Sequence, residues 1–228
     1  MKIDFIMPAD LYDNYVKVQS DELKNQFLPY PLWQRKPEWT SKTKVEGSCP
    51  RHALAAKTYG ACPSVKSWMN KTIVVPFPCD FSVENTGEEI AWSIVPEPFM
   101  FIDFHGREQL PPWETRGHMK LCLNFLVHNK KAGPILWIDP HLHKESANRR
   151  FQVMNGLIDS RAPMPLNVNI LWDEIKEGEA IHHLAGDPLL YLTFPAAKGR
   201  VGVNIVRSDT DHRRLNMWAR ARQLFVLR

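Results

Sequence analysis

Eighteen prolines, spaced from Pro8 to Pro195, cut this chain of 228 residues into short segments. Proline fixes φ and removes a backbone donor, so it interrupts helix interiors and central strands alike. With eight Trp and eleven Phe set against eleven Gly, that spacing predicts short strands joined by rigid turns and few long helices. A hydrophobic fraction of 44% is enough for a proper core.

Within this frame the segment from Gly156 to Pro195 is the most informative. Leu166, Val168, Ile170 and Trp172 fall on one face of an alternating run, with Asn167, Asn169 and Leu171 on the other. A second run, from Leu189 to Phe194, is apolar throughout, and an acidic, glycine-containing loop separates the two. Another alternating run spans 120–128, where Leu121, Leu123, Phe125 and Val127 share a face. Further strands are expected over 72–75, 80–83, 90–94, 98–104, 133–138 and 151–154, with 2–6 as an edge strand. Roughly nine to eleven strands at such spacing are the pattern of an all-β sandwich, barrel or β-clip.

The two ends read differently from the middle. Pro29, Pro31 and Pro37 break any periodicity in residues 1–48, which predicts a proline-rich extension draped over a β domain of residues 49–206. Residues 207–228 open with the cap cluster Ser208, Asp209 and Thr210, and continue with Leu215, Trp218, Ala221 and Phe225 near helical spacing. Arg213, Arg214, Arg220 and Arg222 take the other faces. Such a basic amphipathic helix docks its apolar side on its own domain or on a neighbouring subunit, and nucleic acid stays open as a partner.

Charge and targeting signals narrow the function classes. A net charge of +4 permits an anionic ligand without requiring one. No apolar run reaches the length of a membrane span, and MKIDFIMPADLYDNY lacks the layout of a signal peptide. The expected compartment is a reducing cytoplasm. Cys49, Cys62, Cys79 and Cys122 form no C-x-x-C pair, so the usual zinc spacing is missing.

Two constellations could carry chemistry. The first is Gly156-Leu157-Ile158-Asp159, a glycine turn that delivers a carboxylate at a strand edge. A carboxylate fixed there can align a water that would otherwise be randomly oriented. Asp159 is thus the candidate catalytic residue, with Arg161, Asn167 and Asp187 as candidate ligand-binding residues. The second is His141-x-His143 with Glu145, followed by His182-His183. Alternate residues on a strand share a face, so His141 and His143 with His183 or His182 could hold a divalent metal across a small barrel, in the manner of a cupin.

The order of RKPEWTSKTK, CPSVKSWMNKTIVVPFPCDFSVE, HGREQ, PILWIDPH, NGLIDS and AGDPLLYLTFP resembles an uncharacterised protein family of bacteria and marine tailed phages. That likeness covers about residues 35–200 and brings no settled activity. More distantly, Gly156-Leu157-Ile158-Asp159 followed by Gly186-Asp187-Pro188 is similar to motifs of the dUTPase and dCTP deaminase superfamily. This second resemblance implies a β-clip fold, a nucleotide ligand, and for Asp159 a part in holding the sugar and the attacking water.

The combined expectation is a mainly β domain of β-clip or double-stranded β-helix (cupin-like) type, with a proline-rich N-terminal extension and a C-terminal helix. Its leading function is that of a phage-type accessory protein binding a small anionic ligand such as a nucleotide, with catalysis left open. A virion or assembly component, packing as a homo-oligomer, is the second expectation. A cupin-like metal-dependent enzyme is the third.

Overall fold

The computed structural model describes residues 1–17, 27–37, 62–95, 100–104, 108, 110–129, 131, 133–143, 149–161 and 163–210. Its strands are β1 (Lys2–Pro8), β2 (Tyr30–Pro31), β3 (Thr72–Pro76), β4 (Asp80–Asn85), β5 (Ile90–Val95), β6 (Met100–Phe104) and β7 (Gly117–His128). They continue as β8 (Pro134–Ile138), β9 (Phe151–Val153), β10 (Gly156–Asp159), β11 (Met164–Trp172), β12 (Ala180–His183), β13 (Pro188–Thr193) and β14 (Gly202–Ser208). One sheet runs β14-β1-β7-β11-β9, with β6 also on β7; a second runs β10-β8-β13-β3-β2; a third, of three strands, runs β12-β4-β5. The fold is therefore mainly β.

Alternation explains the first sheet. Met119, Leu121, Leu123, Phe125 and Val127 of β7 are buried, as are Leu166, Val168, Ile170 and Trp172 of β11. These rows share one core with Ile73 and Val75 of β3, Leu190 and Leu192 of β13, and Ile135 of β8. The other face of the second sheet is covered as well. Val65 and Met69 of the helix Pro63–Asn70 pack with Leu32, Val74, Leu142 and Tyr191. A strand covered on both faces has no polar side to show, which is why β3 and β13 read as unbroken apolar runs.

Proline opens that helix at its first position, with Cys62 as the capping residue and no side-chain cap bond. Missing N–H groups cost nothing at a helix start, so Pro63 suits the place. Among the described residues no helix is long and apolar enough to cross a membrane.

The N-terminal strand departs from expectation. β1 is not an edge strand, because β14 pairs with it in parallel from Lys2↔Gly202 to Pro8↔Ser208 while β7 pairs on its other side. Ile3 and Phe5 are fully buried there. The expected extension thus contributes a strand to the main sheet, and the expected boundary at residue 206 falls inside β14. Beyond residue 210, the helix expected over 207–228 lies outside the described residues. The acidic loop expected between the last two runs also contains β12, which pairs with β4.

The three-stranded sheet sets up the site. Phe81↔Ile94, Val83↔Trp92 and Asn85↔Ile90 face each other across β4 and β5, so Ile90, Trp92 and Ile94 lie on the core side of the sheet. Phe81 and Val83 are buried, yet Ile90 is 40% exposed and Trp92 48%. β5 is an edge: Ile94 packs on the core, while the start of the strand, from Ile90 to Trp92, overhangs it. The hairpin turn that creates the overhang needs Gly87, whose φ is +88°.

Candidate functional site

β7 begins and β11 ends at the same level, where Gly117 pairs with Trp172. The two strands stop together beneath the overhanging hairpin, and a cavity of about 680 Å³ lies between the hairpin and their ends. Val83, Ile90, Met119, Trp172 and Ile175 form its apolar wall, and Thr115, Arg116, His118, Asp173 and Glu174 its polar one. Trp172 is only 5% exposed. Its ring packs on Phe151 at 5.2 Å and on Phe81 at 5.8 Å between centroids. Among the described residues its indole N–H has no hydrogen-bond partner.

Both arginines near the mouth are held by acids of their own. Arg116 donates from Nε to Glu114 Oε1 at 2.9 Å and from the guanidinium NH2 nitrogen to Oε2 at 2.7 Å, and its NH1 nitrogen reaches Gln152 Oε1 at 3.1 Å. That fork holds the Glu114 carboxyl down to about 2, well under the ordinary carboxylate value, and raises the Arg116 guanidinium. Arg150 pairs with Glu179 at 2.5 Å and also donates to the Glu174 carbonyl. The Asp173 N–H in turn donates to the Arg150 carbonyl at 2.9 Å. The main chain of 173–174 is thereby pinned, while no lysine or arginine among the described residues forms an ion pair with the Asp173 or Glu174 carboxylate.

Behind Trp172 lies an aromatic cage around His183. The imidazole, 7% exposed, meets Phe151 edge-on at 4.9 Å and Trp172 at 6.3 Å. Burial pushes its pKa down to about 4, and the Arg149 and His182 charges push the same way. Arg149 stacks over Phe151 at 4.5 Å, pairs with Asp139 at 2.5 Å, and donates to the carbonyls of Pro188 and Leu189 at 3.3 and 3.1 Å. The Asp139 Oδ1 also accepts the Val153 N–H at 2.7 Å. This buried knot ties β8, β9 and β13 together at the rear of the cavity wall.

The residues singled out in the sequence lie elsewhere. Asp159 ends β10, where its Oδ1 accepts the Arg161 N–H at 3.0 Å and the Arg161 Nε–H at 2.9 Å, and Oδ2 accepts Nε–H at 2.8 Å. Arg161, its intended neighbour in ligand binding, is therefore its ion partner, and the pairing lowers the Asp159 pKa. Asp159 stands level with Pro134 at one end of β8, whereas Asp187 precedes Pro188 beyond the other end. Asp187 makes a turn instead: its Oδ2 accepts the Leu184 N–H at 3.1 Å, and Gly186 supplies the φ of +96°. Asn167 sits in the first sheet, opposite Cys122. These four side chains are not brought to one place.

The histidines are likewise dispersed. His141 is exposed and stacks on Trp68 at 5.4 Å, with Nδ1 3.1 Å from the Asp139 carbonyl. His143 Nδ1 lies 2.6 Å from the Tyr191 hydroxyl. His182 faces out and His183 faces in, as neighbours on a strand must. Glu145 lies outside the described residues. Among those described, no group of three or more His, Cys, Asp or Glu side chains could hold a metal ion.

Sequence reasoning passed over Arg116, Trp172, Asp173 and Glu174. The one signal available was an alternating strand that ends on a tryptophan followed directly by two carboxylates. No protein-family model, curated protein or solved structure matches this chain.

Proposed function

We propose that this protein binds a small organic molecule in the cleft between the β4–β5 hairpin and the joined ends of β7 and β11. One observation carries the reading: Ile90, at the start of the edge strand β5, is 40% exposed and lines a cavity of about 680 Å³ together with Val83, Met119 and Ile175. Apolar surface left in water forgoes about 25 cal/mol per Å², and pockets of roughly 300–1,000 Å³ suit small ligands. Val83, Ile90, Met119 and Ile175 on the lining give the occupant an apolar surface to meet. Arg116, fixed by Glu114 and Gln152, is already ordered before any ligand arrives.

We read the scaffold as an open, sheet-on-sheet body of the cupin or β-clip kind, and such bodies host ligand sites and inert structural domains alike. The nucleotide expectation rests on Asp159, whose two oxygens already accept hydrogen bonds from Arg161. The assembly expectation draws on exposed apolar side chains; Trp113, Leu157 and Leu184 lie on three separate segments, whereas Ile90, Trp92 and Val95 lie together on the edge strand β5. Apolar residues scattered singly need no partner.

Gly117 provides the test. A Cβ built on it meets only the Trp172 Cβ, at 3.9 Å, so Gly117→Phe fills the cleft without a backbone clash. Neutral aromatic fragments that give saturation-transfer signals with the wild type lose them with Gly117→Phe, while the circular dichroism spectrum stays the same. Fragment signals that persist in a folded Gly117→Phe protein would overturn the reading.

A further inference from the structure

We propose that the end of the molecule opposite the cleft binds a single-stranded nucleic acid. β7 runs between the two ends: it starts beside the cleft at Gly117 and finishes with His128 opposite Asp4. At this far end β1, β3, β8 and β14 begin and β13 stops, a level fixed by the pairings Lys2↔Gly202, Thr193↔Thr72 and Thr193↔Leu136. Hydrogen bonds knit its loops into one piece. The Val201 N–H donates to the Asn70 carbonyl at 2.8 Å, the Gly202 N–H to the Met1 carbonyl at 2.8 Å, and the Trp33 indole N–H to the Val201 carbonyl at 2.7 Å. The terminal ammonium donates to the Arg200 carbonyl at 2.9 Å, and Lys71 Nζ to that of Pro195 at 3.1 Å. Gly133 lies against Ala196, which brings the loop of Lys131 to the same surface.

Charge is divided between the two ends. Among the described residues of these loops the one acid is Asp159, which Arg161 already holds; Asp4, the next acid along β1, accepts from Asn204 at 2.8 Å. No described carboxylate forms an ion pair with Lys71, Lys131, Lys198 or Arg200. A one-sign surface of this kind steers a polyanion toward it. The aromatic rings add a preference for bases. The guanidinium carbon of Arg200 lies 4.8 Å over the Trp33 ring, and that of Arg35 lies 4.6 Å over the Tyr30 ring, within reach of cation–π attraction. Both arginines are exposed, and a guanidinium anchored on a ring is ordered before its partner arrives. Unpaired bases stack on guanidinium planes as they do on aromatic rings. A duplex keeps its base faces inside, so the stacking surface favours a single strand over a double one.

The test titrates the full chain into a fluorescein-labelled oligothymidylate of about twenty nucleotides and follows the anisotropy. Binding is expected, and it weakens about tenfold or more between about 50 and about 200 mM salt. Lys198→Glu with Arg200→Glu, at two exposed positions, is expected to weaken it by about tenfold or more. Arg200→Lys keeps the charge and removes the plane; it is expected to weaken the oligothymidylate by about threefold and to leave the affinity for polyglutamate unchanged. Polyglutamate, a mixed-sequence duplex and phosphatidylserine vesicles, matched in charge, are expected to compete less well than unlabelled oligothymidylate. No binding, or competition by any of the three as strong as that of the single strand, would overturn the inference. The cleft reading, at the other end of β7, stands or falls separately.

Discussion

His183 lies flat on Phe77, with ring centroids 5.0 Å apart and planes 5° from parallel. The stack places a titratable ring inside an aromatic cage, next to the buried Arg149 guanidinium, and its folded pKa is about 4. Above pH 6.5 both folded and unfolded chains keep the ring neutral, and the burial is tolerated. Between about 6.5 and 4 the unfolded chain takes up a proton that the folded chain refuses, so stability falls as pH falls. The wild type is expected to lose on the order of 2 kcal/mol more than His183→Phe between pH 7 and 4.5. Urea unfolding at the two pH values measures it, and equal losses would contradict the cage.

Gly156 and Trp137 form a second dependent pair. They face each other across β10 and β8, and a Cβ on Gly156 would stand 1.8 Å from Trp137 Nε1. The sequence suggests a glycine turn here, but Gly156 does not have a positive φ; the glycine is there to make room for the indole. Gly156→Ala is expected to cost about 1–3 kcal/mol, by forcing the ring off its seat. In a Trp137→Ala background the same change costs much less, and the double-mutant cycle reports that coupling. An equal cost in both backgrounds would remove the steric account.

The cysteines differ in reach. Burial pushes the Cys79 thiol up to about 12, whereas the Ser64 hydroxyl and nearby backbone N–H groups lower that of Cys62 at the start of its helix. The thiolate is the reactive form. Iodoacetamide at pH 8 should therefore label Cys62 in the folded protein and Cys79 only after denaturation, as read by peptide mass spectrometry. Labelling of both at similar rates in the folded state would contradict the packing around β4.

Much of the fold was legible because strands with one dry face must alternate. β7 and β11 declared themselves in this way, and their inward rows are the ones the alternation picks out. β12 escaped because four residues, Ala180–His183, are too few to show a period between acidic turns. β14 was overlooked even though Val203 and Ile205 alternate, since the arginine-rich sequence beyond it suggested a helix. The position of β1 depends on β14, some two hundred residues away, and no local pattern encodes such a pairing. The cleft is hidden for the same reason. It arises where β5, β7 and β11 end together, and its arginine is fixed by Glu114 and Gln152, which no motif links. Asp159, by contrast, was conspicuous in sequence for a turn whose carboxylate Arg161 already holds.

The most direct measurement is a crystal structure of the protein soaked with 2-phenylethanol, a neutral aromatic fragment. The account predicts density in the cleft, with the ring against Ile90, Met119 and Ile175. A ligand bound elsewhere, or an empty cleft in crystals of a protein that binds the fragment in solution, would contradict it.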